Sequence, residues 1–138
     1  MMLYQRQVRL AGGPAAMGWA TEITAAVNQH AASEVSLWRG AFGMPAGSVA
    51  WSAPLESLSQ VDDLNAAMAS DANATALSAK SADYVAEADV ERLLVIVAGE
   101  ITDSAAVGSY VEATRAIAAP GQWNAAGEWA AHIAGIHT

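Results

Sequence analysis

Near the start of the chain, three side chains able to hold or orient an oxygen atom recur at every second position: Gln5, Gln7 and Arg9. Alternation of that kind places all three on one side of a strand. There a guanidinium can grip a carboxylate or an enolate through two parallel hydrogen bonds, and the amides can orient a carbonyl. The same pattern also suits an exposed strand edge or hydrogen bonds between subunits. The residues alone leave both readings open.

A second candidate lies in SLWRGAFGMPAGSVAWS, from Ser36 to Ser52, which carries two of the five tryptophans on either side of a loop rich in Gly and Pro. A hairpin closed by the five residues Gly43–Gly47 sets Phe42 opposite Ser48, Gly40 opposite Ala50 and Trp38 opposite Ser52. One side then holds Ser36, Trp38, Gly40, Ser48, Ala50 and Ser52; the other holds Val35, Leu37, Arg39, Ala41, Val49 and Trp51. The aliphatic set suits packing under helices, which makes Trp51 a core ring. Trp38, among small residues such as Ser36, has free volume beside it and is the candidate ligand-lining ring. The alternative is that both rings simply fill apolar space.

Other chemistry is sparse. His30 ends the first predicted helix, where it can interact with the helix dipole; a general base is the competing role. His132 and His137 do not share a helical face at the spacing of a metal motif, so no metal site is expected. Gly12-Gly13-Pro14 lacks the third glycine of a dinucleotide loop and reads as a turn into a helix. Cysteine is absent, which removes thiolate catalysis and Cys-ligated clusters, and no cofactor is expected.

With 6 Lys and Arg against 14 Asp and Glu, the net charge of −8 opposes binding to nucleic acid and to anionic membranes. Neither an apolar leader nor a run of membrane-spanning length is evident, so a cytoplasmic protein is expected. A length of 138 residues supports one real core. Many of the apolar residues are alanine, so each large side chain matters more.

The elements that must position these residues follow from periodicity. A strand is predicted over Tyr4–Leu10, a helix from Pro14 to about Ala31, and strands over 34–42 and 48–53. Asp62 and Asp63 open an Ala-rich helix that breaks near Ser70-Asp71. Arg92–Gly99 is a strand apolar on both faces, so something must cover it: a second subunit or the tail of the same chain. Ser104 then caps a helix running to about Ala118, and 123–133 is a further short helix or the lead into a last strand. Val8–Gly12 and Val95–Gly99 echo one another, as do Gly18, Glu22, Thr24 and Ala26 with Gly108, Glu112, Thr114 and Ala116. Duplication and chance in an Ala-rich chain both account for the echo.

The order β-α-β-β-α-β is the split arrangement of ferredoxin-like domains. Taken with Trp38-Arg39-Gly40, Ala50-Trp51 and the PLESL at Pro54–Leu58, it resembles the NIPSNAP-like branch of the dimeric α/β-barrel superfamily over residues 4–99. The resemblance implies an α+β fold: a ferredoxin-like sheet with helices on one face, whose other face packs on a second subunit to close a barrel around a cavity. Relatives include cofactor-free monooxygenases, small-ring isomerases and heme enzymes, so fold does not select an activity.

The expected organisation is a ferredoxin-like unit over 1–100 and, over 101–138, a C-terminal helical extension or a partial second repeat. The expected function is a homodimer or higher oligomer that binds a small apolar or carbonyl-bearing ligand at Gln5, Gln7, Arg9, Ser36 and Trp38. A cofactor-free oxygenase or isomerase is its catalytic form; the alternative is a structural or interaction protein whose barrel face is filled by subunit contacts.

Overall fold

The computed structural model describes residues 1–87, 90–97, 99 and 106–136. The chain divides into two units, Met1–Val95 and Ile96–Thr138.

The first unit is an α+β ferredoxin-like fold. Strands β1 (Met2–Arg9), β2 (Ser36–Arg39), β3 (Ser48–Leu55) and β4 (Val90–Val95) form a four-stranded sheet in the order β2-β3-β1-β4. Every neighbouring pair is antiparallel. Between β1 and β2 runs α1 (Pro14–Asn28), whose proline occupies the first turn, where a missing N–H costs nothing. After β3 come α2 (Ser59–Ser70), α3 (Ala72–Ala79) and the single turn α4 (Ser81–Tyr84). The break expected near Ser70-Asp71 is present: Asp71 is extended, and its carboxylate accepts the N–H groups of Asn73 and Ala74 to cap α3.

All four helices lie on one face. Val8, Leu10 and Val49 from the sheet pack with Ala16, Trp19 and Ala20 of α1 and Ala74 and Leu77 of α3, and Met68 and Tyr84 join from α2 and α4. Alanine at these α1 positions lets the helix lie close to the strands. The volume is filled by Trp19, which is 6% exposed, donates its indole N–H to the Leu77 carbonyl at 2.8 Å and meets Trp51 edge to face at 6.3 Å.

The hairpin departs from its expected register. Trp38 pairs with Ala50 and Ser36 with Ser52, a displacement of two residues, and Gly40 rather than Phe42 lies opposite Ser48 through a 2.9 Å hydrogen bond. The reason is local. Gly47 takes φ +83 and offers its carbonyl to Leu10, while the Ser48 N–H and hydroxyl both bond the Pro45 carbonyl. Those bonds spend residues 41–47 on the loop and leave Phe42 in solvent, 94% exposed. A shift of two preserves the side of the sheet on which every side chain stands.

In the second unit the helix expected over 104–118 does not form among the described residues 106–118; Ser104 lies outside them. Gly108 at φ +92 interrupts any helix there, and β-branched Val107, Val111, Thr114 and Ile117 supply no helix propensity to resist it. The regular element is α5 (Trp123–Ile136), where a short helix or a strand lead-in was open. No described helix is long and apolar enough to cross a membrane.

Candidate functional site

The pairing of strands decides which candidate residues meet. On the face away from the helices, Ser36, Ser52, Gln5 and Arg92 form one row across the sheet, and Trp38, Ala50, Gln7 and Val90 form the next. Arg9 stands beyond them, beside Ser48. Gln5, Gln7, Arg9, Ser36 and Trp38 therefore share one face, and Trp51 lies on the other, where its indole N–H donates to the Thr24 hydroxyl at 2.7 Å.

Within this face the side chains gather at two poles. On the β2 side, Trp38 donates its indole N–H to the Ser52 hydroxyl at 2.8 Å, which fixes the ring over its neighbours Ser36 and Ala50. The hairpin loop closes one end: a Cβ on Gly40 would meet the Met44 sulfur at 3.1 Å and the Ser48 Cβ at 3.2 Å, so Met44 lies over Gly40. At the β4 side, Arg92 donates through Nη1 to the side-chain carbonyls of Gln7 at 3.2 Å and, more weakly, of Gln5 at 3.5 Å. Between the poles lie only small groups, Ser52 and Ala50.

Arg9 is engaged elsewhere. Its guanidinium bonds the Glu87 carboxylate at 2.8 Å, and the two side chains are 42% and 58% exposed, so the pair is a solvated one. Arg92 was read in the sequence only as the start of an apolar strand. Its place beside Gln5 depends on the pairing of β1 with β4, which no local pattern states; the sole sequence signal is one basic residue within an apolar run.

His30 lies on the helical side, where its Nε2 meets the Asp71 carboxylate at 2.8 Å and ties the end of α1 to the start of α3. That hydrogen bond, with the Ala74 and Asn73 N–H groups behind it, holds the Asp71 carboxyl below its ordinary value of 3.8. Among the described residues no three potential metal ligands cluster.

A groove of about 490 Å³ opens at the β4 edge, lined by Tyr4, Glu91, Arg92 and Leu93 of the sheet with Leu58 and, from α2, Val61 and Asp62. Within it the Tyr4 hydroxyl donates to Glu91 at 2.8 Å. It is a hollow beside a strand edge, whereas the Trp38 face gathers donors. That edge is β4, whose apolar residues are exposed on both sides: Leu93 at 42% and Val95 at 69% on one, Val90 at 45% and Leu94 at 44% on the other.

The sequence matches no protein-family model, and no curated protein matches it. Among solved structures the chain is similar to a NIPSNAP domain protein from Burkholderia xenovorans, with TM-score 0.59 and 21% identity over 71% of this chain and 96% of that one. A NIPSNAP family protein from Agrobacterium tumefaciens gives TM-score 0.59 and 18% identity over 68% and 90%. A protein described as an antibiotic biosynthesis monooxygenase gives 0.56 and 12% over 70% and 99%. At these identities the likeness is one of fold, the ferredoxin-like sheet.

Proposed function

We propose that this chain is a small-molecule-binding protein that works as a homodimer, with its ligand on the sheet face bearing Trp38. The observation that carries the reading is that face: a ring held by Ser52, a floor of small side chains, and the Arg92 guanidinium tethered by Gln5 and Gln7. The helix-free side of a sheet needs a cover before it can desolvate a ligand. A second copy is the economical cover, because β4 is apolar and exposed on both of its faces and stands at the sheet edge. The fold shared with NIPSNAP domain proteins and with the monooxygenase supports this arrangement by analogy.

A cofactor-free oxygenase or isomerase is the catalytic form of the proposal. Such chemistry asks the protein to desolvate and position a substrate whose own enolate or carbanion reacts. A ring and a positioned cation at the two ends of one sheet face provide for that.

Sedimentation equilibrium and light scattering test the reading. A particle of twice the 14.2 kDa chain mass is expected at micromolar concentration. A monomer throughout that range would remove the covering subunit and with it the proposed site.

A further inference from the structure

We infer that Arg92 is the anion-binding end of this site, and that the ligand is an aromatic carboxylate or enolate lying between Arg92 and Trp38. The inference rests on the site reading above and adds the ligand's charge and shape.

The first argument is electrostatic. Two arginines stand on this face, and they are treated differently. Arg9 is paired with Glu87. Arg92 instead bonds two neutral amide carbonyls, and no carboxylate among the described residues pairs with it. Amide carbonyls orient a guanidinium without cancelling its charge. In a chain with 14 acidic residues and a net charge of −8, that leaves a positioned cation whose charge is unmatched.

The second argument is the polarity of the hydrogen bonds. A guanidinium presents five N–H donors in a planar fork, and the tethers use Nη1 alone. The carbonyls of Gln5 and Gln7 point at Arg92, and each amide still has its NH2 group, two donors, beside one spare lone pair on that oxygen. Donors therefore outnumber acceptors at this pole. An ammonium would meet the like charge of the guanidinium, whereas a carboxylate or an enolate oxygen would find several donors, with the two-pronged geometry of Arg suiting the carboxylate.

The third argument is shape. From β2 to β4 is three strand spacings, about 14 Å between backbones, and the Trp38 and Arg92 side chains reach inward over that span. Between them stand Ser52 and Ala50 of β3, which form the floor next to the indole, and Gln5 and Gln7 of β1, which border the guanidinium. A flat bicyclic or tricyclic ring can lie on such a floor with one edge against the indole and its oxygen at the guanidinium. A bulky saturated ligand would not gain the ring contact.

The probes are naphthoate and naphthamide, the same ring with and without the charge, titrated into the full-length protein by calorimetry. The Trp38 indole N–H resonance, assigned with Trp38→Phe, is followed by NMR in parallel. Wild type is expected to bind naphthoate about tenfold to hundredfold more tightly than naphthamide, the range that hydrogen bonds to a charged group provide, with the Trp38 resonance shifting for both. Arg92→Gln should abolish that preference, Arg92→Lys should retain part of it, and Arg9→Gln should leave it intact. Thermal melts check that each variant folds, and Arg92→Lys carries the test if Arg92→Gln does not. Equal affinity for the two probes, with the Trp38 response present, overturns the Arg92 inference and leaves the site standing. Loss of the preference in Arg9→Gln instead of Arg92→Gln overturns the assignment to Arg92. Absence of a Trp38 response to either probe overturns the inference and the site together.

Discussion

Replacing Trp51 should cost far more stability than replacing Trp38, although both are partly buried tryptophans on neighbouring strands. Trp51→Ala removes a ring that meets Trp19 edge to face at 6.3 Å and an 84° interplanar angle, and it deprives Thr24 of the indole donor at 2.7 Å. The aromatic pair contributes about 0.5–1.5 kcal/mol beyond area, and the hydrogen bond about 1 kcal/mol. Removing a core aromatic costs about 3–5 kcal/mol in total; for a ring that is not fully enclosed the lower end applies, about 3 kcal/mol. Trp38→Ala loses one hydrogen bond, to Ser52, and side-chain contacts on a face that no helix of its unit covers, about 1 kcal/mol. For a domain of this size the Trp51 loss corresponds to a fall in Tm on the order of 10–20 °C, and the Trp38 loss to less than half of that. Thermal and urea melts of both variants measure the difference. Equal losses would refute the reasoning, because they would mean that the Trp38 face is packed as a core.

Gly47→Ala should destabilise by at least about 2 kcal/mol in urea melts, since φ +83 alone costs an L-residue about 1–2 kcal/mol and the added Cβ would collide with the Leu10 carbonyl oxygen. Asp71→Asn should flatten the acid limb of the stability curve. Its folded pKa lies below 3.8, so its contribution is full above that value and is lost as pH falls through the lowered folded value; Tm measured against pH for both proteins shows whether the limb flattens. Leu94→Glu places a charge on the helix-free side of the β4 edge, where Leu94 is 44% exposed, and should shift the sedimentation mass toward the 14.2 kDa monomer without lowering Tm in the monomeric range.

What could be read in advance divides along physical lines. The alternation of Gln5, Gln7 and Arg9 against Tyr4, Val8 and Leu10 is a property of a single strand, and it identified a shared face without reference to partners. The hairpin faces survived an error in loop length because the register slipped by two residues, and only an odd slip exchanges sides. The doubly apolar run after Arg92 was expected to be covered on both sides; in the single chain Leu93 and Leu94 stand exposed on opposite faces of an edge strand. Its extent was overestimated, since the ladder to β1 ends at Val95.

Two features were hidden for different reasons. The helix expected after Ser104 rested on that residue as a cap and on a stop at Pro120, and gave too little weight to Gly108 among β-branched residues. Arg92 could not be found from spacing, because its neighbours Gln5 and Gln7 lie 87 and 85 residues away and meet it only through the antiparallel pairing of β1 with β4. Arg9 shares the parity of the glutamines and so drew the anion role in the sequence, while Glu87, which pairs with it, lies far along the chain.

A crystal structure of the purified protein tests the central claim most directly. The account predicts two copies whose helix-free sheet faces oppose one another around a cavity of about 300 Å³ or more, with Trp38 and Arg92 in its wall. Single copies in solution-like isolation, or facing sheets whose side chains interdigitate and leave no cavity beside Trp38, would contradict it.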